Sequence, residues 1–245
     1  MKIAILTRES FSTYIYNLVA GLYELGFCDI TIVSIPQDLK MVFKNNLNKF
    51  KVSSFTLYLA KFIRLAKAYY KFKKVGINHV IKQARGKNYN ENDLIKLLLQ
   101  NRFNIAIAYN SGLLREEILS IPKFGVICAH PALLPFGRGF SGHLQSVLLG
   151  IPMGVTVFRI DKGVDTGDIY LQEELDISRC KSKDDLNNEF SKKELELTLK
   201  TILGISRNTL FPKKQAKKYK YWKLSEEEIN KADKVLNQIF LKNKQ

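Results

Sequence analysis

The chain has 245 residues, 46% of them hydrophobic, which is enough for one sizeable core with a small appendage. No run of about 18 apolar residues occurs, so no membrane span is expected, and the N-terminus enters a strand without a cleavage site, which argues against a signal peptide. Thirty-nine Lys and Arg against 23 Asp and Glu give a formal net charge of +16; Cys28, Cys128 and Cys180 lack metal-ligand spacing, which fits a reducing, cytoplasmic setting with no metal and no structural disulfide.

Lys2 to Leu6 reads as a strand. Ser12 or Thr13 can cap the helix that follows, through Ile15, Leu18, Val19, Leu22 and Leu25, and Gly26 stops it. Asp29 to Ile35 is a second strand, closed by Pro36. The order strand, helix, strand predicts a parallel α/β unit, and the absence of G-x-G-x-x-G after the first strand argues against a dinucleotide site. Residues 40–88 then carry thirteen Lys or Arg and no acid. Within them, Phe55 to Phe72 has a basic amphipathic helical pattern, with Lys61, Arg64, Lys67 and Lys71 opposite the apolar side. Such a helix near 55–74 is suited to peripheral contact with an anionic membrane, but covering a core is its commoner use. The basic excess is read as solvated surface, and nucleic acid is not expected as a partner.

Asp93 to Gln100 is a helix and Asn104 to Tyr109 a strand, after which Asn110-Ser111-Gly112-Leu113-Leu114 turns into a helix through Ile118. Gly125 to His130 is a buried strand ended by Pro131 and Pro135. Cys128 and His130 share one of its faces where it becomes a loop, which is where open α/β sheets carry their chemistry. The loop Phe136-Gly137-Arg138-Gly139-Phe140-Ser141-Gly142 is glycine-rich. Arg138 in it is a candidate anion clamp, since its planar fork matches phosphate oxygens, and the bland alternative is a surface arginine. His143 opens a helix to Leu149, either near the substrate or as packing. Gly154 to Ile160 is a further strand, running into a loop with Asp165 between Gly163 and Gly167. A histidine and a carboxylate, each at a strand-end loop, make a plausible proton-handling pair. From Leu175 onward the chain reads polar and helical: Asp184 to Leu203 is a helix, Pro212 to Trp222 is basic and aromatic, and Ser225-Glu226-Glu227-Glu228 opens a last helix with a capping pattern.

The stretch His130-Pro131-x-Leu133-Leu134-Pro135, then Arg138-Gly139, then Gly163-Val164-Asp165-Thr166-Gly167, resembles the formyltransferase family, over about residues 104–176. That family includes sugar N-formyltransferases, glycinamide ribonucleotide formyltransferase and the N-terminal domain of methionyl-tRNA formyltransferase. The resemblance implies an α/β fold, Rossmann-like, with a mostly parallel central sheet and a small helical C-terminal segment. The domain division it implies is a catalytic 1–176, with 37–100 an atypical basic helical region, and a helical 177–245. It implies 10-formyltetrahydrofolate as co-substrate and an amine as acceptor.

By the same resemblance His130 and Asp165 are catalytic, with Cys128 where the family carries an Asn two residues before the His. Ser111, Gly112, Leu113, Leu133, Lys162, Gly163 and Val164 would bind the folate, and Arg138, Gly139 and His143 the acceptor. An Asn donates to the tetrahedral oxyanion, whereas a thiol is a weak donor. So either another donor replaces it, or the enzyme is slow or degenerate, or Cys128 is a nucleophile. The family's tRNA-acting members carry a separate C-terminal β-rich domain, while the residues after 176 here read helical. The expected acceptor is therefore a small phosphate-bearing amine, an amino sugar on a nucleotide. A folate- or nucleotide-binding protein without turnover and a 10-formyltetrahydrofolate hydrolase stand as alternatives, and oligomeric state is left open.

Overall fold

The computed structural model describes residues 1–8, 12–34, 82–83, 92–215 and 222–244. The basic amphipathic helix expected near 55–74, nearly all of the region 37–100 ahead of residue 92, and Tyr219 and Tyr221 lie outside the described residues. The chain forms two compact units, Met1–Gly125 and Val126–Gln245.

In the first unit the strands are β1 (Ile3–Thr7), β2 (Ile30–Ser34), β3 (Lys82–Gln83) and β4 (Ile105–Tyr109), in the order β3-β2-β1-β4. All pair in parallel: Ile3 lies opposite Ile30 on one side and Ile105 on the other. Every residue of β1 is buried, as the continuous apolar run of a doubly covered parallel strand requires. Helix α1 (Thr13–Glu24) turns Ile15, Leu18, Val19 and Leu22 into this core. Ser12 is its N-cap, accepting from the Ile15 N–H, a bond whose loss typically costs about 1 kcal/mol. Helix α2 (Asn92–Asn101) adds Leu94 and Leu98, and the short α3 (Glu116–Leu119) follows β4.

The second unit holds β5 (Val126–His130), β6 (Gly154–Arg159) and β7 (Ile169–Glu174), in that order. Here the pairing is antiparallel throughout, although helix α4 (Gly142–Leu149) stands between β5 and β6 in the chain. Helix α5 (Lys183–Ser206) packs on β5, β6 and β7 through Leu186, Phe190, Leu197, Ile202 and Ile205. Helix α6 (Glu226–Lys242) packs on α4, and its expected capping box is present between Ser225 and Glu228. The α/β class and the helical C-terminal part are as expected, and the five expected strands fall within a residue or so of their observed ends.

Strand β7 was not expected. Its residues alternate between half-buried or buried and exposed, and it carries Gln172, Glu173 and Glu174, so its composition reads as polar loop. The residues around Lys213 lie along it: Ile169 and Lys213 exchange both backbone N–H···O bonds at 2.8 Å.

Candidate active site

His130 ends β5, and the loop after it is tied down from β6 and β7. The Thr156 hydroxyl donates to the Ala132 carbonyl at 2.6 Å and accepts from the Leu134 N–H. Gln172 donates to the Leu134 carbonyl and to the same hydroxyl. A turn with two prolines supplies few N–H groups of its own, so these side chains satisfy its carbonyls. His130 itself is 8% exposed. Its Nε2 lies 2.7 Å from the Gly137 carbonyl oxygen. A carbonyl only accepts, so Nε2 carries the proton and Nδ1 is the nitrogen turned elsewhere. Nδ1 faces Asp165, 3.7 Å from Oδ2. The histidine and the carboxylate expected to meet do meet, at ion-pair distance and just beyond a direct hydrogen bond.

The Asp165 loop is shaped by Asp161, whose carboxylate accepts from the Gly163 N–H and the Thr166 hydroxyl. Gly167 stays bare because a Cβ there would overlap the Arg159 carbonyl oxygen. Asp165 itself has φ of 52°, in the left-handed region, which Asp tolerates better than most residues. Its Oδ2 accepts from the Gly139 N–H at 2.7 Å. Lys162 is exposed, and Val164 presents part of its side chain to water.

Cys128 lies two residues before His130, its thiol directed to the Ala129 carbonyl at 3.2 Å. Although part of the residue stays accessible, burial pushes the thiol pKa up, and the Asp165 and then the Glu194 carboxylates push it further. The thiolate that a nucleophile needs is disfavoured there. Glu194, on α5, has its own pKa raised to about 7 by desolvation.

The other expected residues fall into different settings. Gly139 serves Asp165 directly. Arg138 is 5% exposed, and its guanidinium donates to the Gln215 side-chain oxygen. His143 packs its ring 5.7 Å from that of Phe190; burial lowers its pKa, with Asp233 opposing and His130 and Lys183 adding to the fall. Leu133 packs over Gly154, where a Cβ would collide with it. In the other unit, Ser111 is buried and donates to the Gly112 carbonyl, Gly112 has φ of 76° and Leu113 is 80% exposed.

Gln145 and Gln215 went unrecognised in the sequence. Gln145 donates from one amide nitrogen to the carbonyls of Arg138 and Trp222. Gln215 donates to the carbonyls of Asp165 and Gly167. An isolated glutamine has no sequence signature for such bonds. A half-open cavity of about 700 Å³ in the same unit is lined by Leu133, Pro135, Phe136, Pro152, Tyr170 and Phe211, among others, and neither His130 nor Asp165 borders it. Among the described residues no three His, Cys, Asp or Glu are grouped to hold a metal ion, and no helix is long and apolar enough to cross a membrane.

A sequence profile described as formyl transferase matches residues 60–202. Methionyl-tRNA formyltransferase of Clostridium beijerinckii is 32% identical over 170 residues, which cover 68% of this chain and 55% of that protein. The chain thus spans about half the length of the curated relatives it matches. Among solved structures, glycinamide ribonucleotide transformylase 1 from Symbiobacterium toebii superposes with a TM-score of 0.59 at 17% identity, over 85% of this chain and 88% of that one. A formyltransferase from Anoxybacillus kamchatkensis, in complex with UDP-4,6-dideoxy-4-formamido-L-AltNAc and tetrahydrofolate, gives 0.55 at 18% identity, over 93% of this chain and 88% of that one. At such identities the structural likeness is one of fold.

Proposed function

We propose that this chain, which belongs to the formyl transferase family, moves a formyl group from 10-formyltetrahydrofolate to the amine of a small acceptor. The observation that carries the reading is the approach of His130 Nδ1, at the end of β5, to Asp165 Oδ2, in the loop between β6 and β7, 3.7 Å apart. Transfer begins when the acceptor nitrogen attacks the formyl carbon and its carbonyl oxygen becomes an oxyanion. Asp165, directly or through a water, takes the proton that the attacking nitrogen sheds. His130 donates a hydrogen bond to the oxyanion, for which its Nε2–H turns from the Gly137 carbonyl to the formyl oxygen. The bond from carbon to N10 then breaks, N10 receives the proton, and tetrahydrofolate leaves.

Cys128 is filler in this scheme. Its buried thiol, bonded to the Ala129 carbonyl, lacks the electropositive surroundings that make a nucleophile. On the same reading, backbone groups at Lys162, Gly163 and Val164, with the Leu133 side chain, receive the pterin. Arg138, Gly139 and His143 shape the acceptor side. The acceptor is a nucleotide-linked amino sugar. A fold neighbour in complex with a formamido sugar nucleotide, aligned over 93% of this chain, makes that acceptor class the first to test. Residues 1–176 act as the catalytic part and 177–245 as its helical support, in a reducing cytoplasmic setting consistent with three free thiols.

The test is formyl transfer from 10-formyltetrahydrofolate to a panel of amines that includes UDP-linked 4-amino sugars, methionyl-tRNA and glycinamide ribonucleotide. A formylated UDP-sugar supports the proposal. Formyl loss without any amine would mark a hydrolase, and folate binding with no loss would mark a binding protein.

A further inference from the structure

We infer that Gln215 is a positioning residue for the formyl-transfer site, holding the backbone of the Asp165 loop and the Arg138 guanidinium with one side-chain amide. Its nitrogen donates to the Asp165 carbonyl at 3.0 Å and to the Gly167 carbonyl at 2.8 Å, and its oxygen accepts from Arg138 Nη2. The amide's orientation follows from its partners, because only the NH₂ end can face two carbonyls and only the oxygen can face a guanidinium. The circuit closes through the reacting carboxylate. The Gly139 N–H, next in the chain to Arg138, donates to Asp165 Oδ2 at 2.7 Å. Asp165 is therefore gripped at both ends, by its side chain from residue 139 and by its carbonyl from residue 215.

The grip has work to do. With φ of 52°, Asp165 occupies a backbone region that persists when its surroundings over-determine it. Gln215 is itself anchored, since Lys213, two residues earlier, exchanges backbone bonds with Ile169 of β7. Gln145 completes the support by donating to the Arg138 and Trp222 carbonyls. Two separate stretches of the carboxyl-terminal part of the chain, around Gln215 and at Trp222, thus fix the Arg138–Gly139 turn on which Asp165 hangs. A side-chain amide suits position 215 by its chemistry, since the group donates twice and accepts once. A glutamate would set an acceptor against two carbonyl oxygens, and a methionine would fill the volume while making none of the three bonds.

The inference rests on reading His130 and Asp165 as the reacting pair, so its test has one arm that needs no turnover. Gln215→Met, Gln215→Glu, Asp165→Asn and the neighbouring control Lys214→Met are compared at equal far-UV ellipticity. In the first arm, the ring ¹⁵N resonances of His130 are recorded without substrate. They are expected to move in Gln215→Met, as in Asp165→Asn, and to stay in place in Lys214→Met. In the second arm, formyl transfer from 10-formyltetrahydrofolate to a UDP-linked 4-amino sugar is measured. Gln215→Met should lose about 10- to 100-fold in kcat, the usual cost of misplacing a reacting group. Its KM for the folate should stay within about twofold, because the bonds act on a group used in the transition state. Gln215→Glu should be no better than Gln215→Met. A His130 spectrum in Gln215→Met identical to that of the wild type overturns the inference, whatever the activity. If the wild type transfers formyl to no amine, the functional reading fails, and the spectra alone decide the role of Gln215.

Discussion

Glu194 is a carboxylic acid that the fold holds away from water. It sits on α5, its carboxyl pKa is raised from an ordinary 4.5 to about 7, and desolvation is the cause. The sign is that of a group protonated in the fold and ionised in the unfolded chain. Below about 4.5 both states are protonated and the residue is neutral to stability. Between about 4.5 and 7 the unfolded state binds fewer protons than the native one, so stability falls as pH rises, and above about 7 the loss is complete. At roughly 1.4 kcal/mol per pH unit the full loss is about 3 kcal/mol. Glu194→Gln keeps the shape and removes the titration. Its stability relative to the wild type should therefore grow from pH 4.5 to 7 and then level off. At roughly 2–4 °C per kcal/mol for a chain of this size, the variant's Tm should gain roughly 6–12 °C on the wild type between pH 4.5 and 8. Thermal unfolding of both proteins by circular dichroism from pH 4.5 to 9 checks it. A Tm difference that is flat across that range would refute a desolvated Glu194.

The other predictions concern the site. Cys128→Ala should leave formyl transfer within about twofold of wild type, because a buried thiol acts as a small hydrophobe. Cys128→Asn should raise kcat by up to about 100-fold if the added amide reaches the oxyanion; a formyl adduct on Cys128 by mass spectrometry would instead establish a nucleophile. Gly167→Ala should destabilise the protein by about 2 kcal/mol or more in urea unfolding, since its Cβ would overlap the Arg159 carbonyl and an off-fit atom forces backbone shifts. Asp165→Asn should cut kcat at least about 100-fold while folate affinity, measured by fluorescence quenching, holds, because the carboxylate acts on the transition state.

Much of this was legible in the sequence, and the reasons differ by element. The strands β1, β4 and β5 are short apolar runs cut off by polar or proline-bearing turns, and β2 and β6 mix in threonine while keeping their β-branched character, so each announces itself. Strand β7 does not, because it has a part-exposed face and its Glu173 pairs with Lys193 and Lys200 of α5. The meeting of His130 and Asp165 could be read from two strand-end loops and a family resemblance, since each side chain has its type fixed by the chemistry. Arg138 was legible as a residue but not in its setting. As a clamp for phosphate it would face solvent, whereas it is buried against a glutamine whose position in the fold depends on β7. Gln145, Gln215 and Glu194 left no trace, because their partners are backbone carbonyls of distant loops or the burial itself, and neither has a sequence pattern. The basic stretch 40–88 falls almost wholly outside the described residues, so its expected helix stands only as an expectation.

The proposed function turns on His130 and Asp165 as the pair that handles the protons of formyl transfer to an amine. The most direct measurement incubates wild type and His130→Ala with 10-formyltetrahydrofolate, with and without a UDP-linked 4-amino sugar, and follows tetrahydrofolate and N-formyl sugar together by mass spectrometry. Wild type should release the two products in equal amounts only when the amine is present, and His130→Ala should bind folate but release neither. Equal product formation by His130→Ala, or tetrahydrofolate released by wild type at the same rate without the amine, would contradict it.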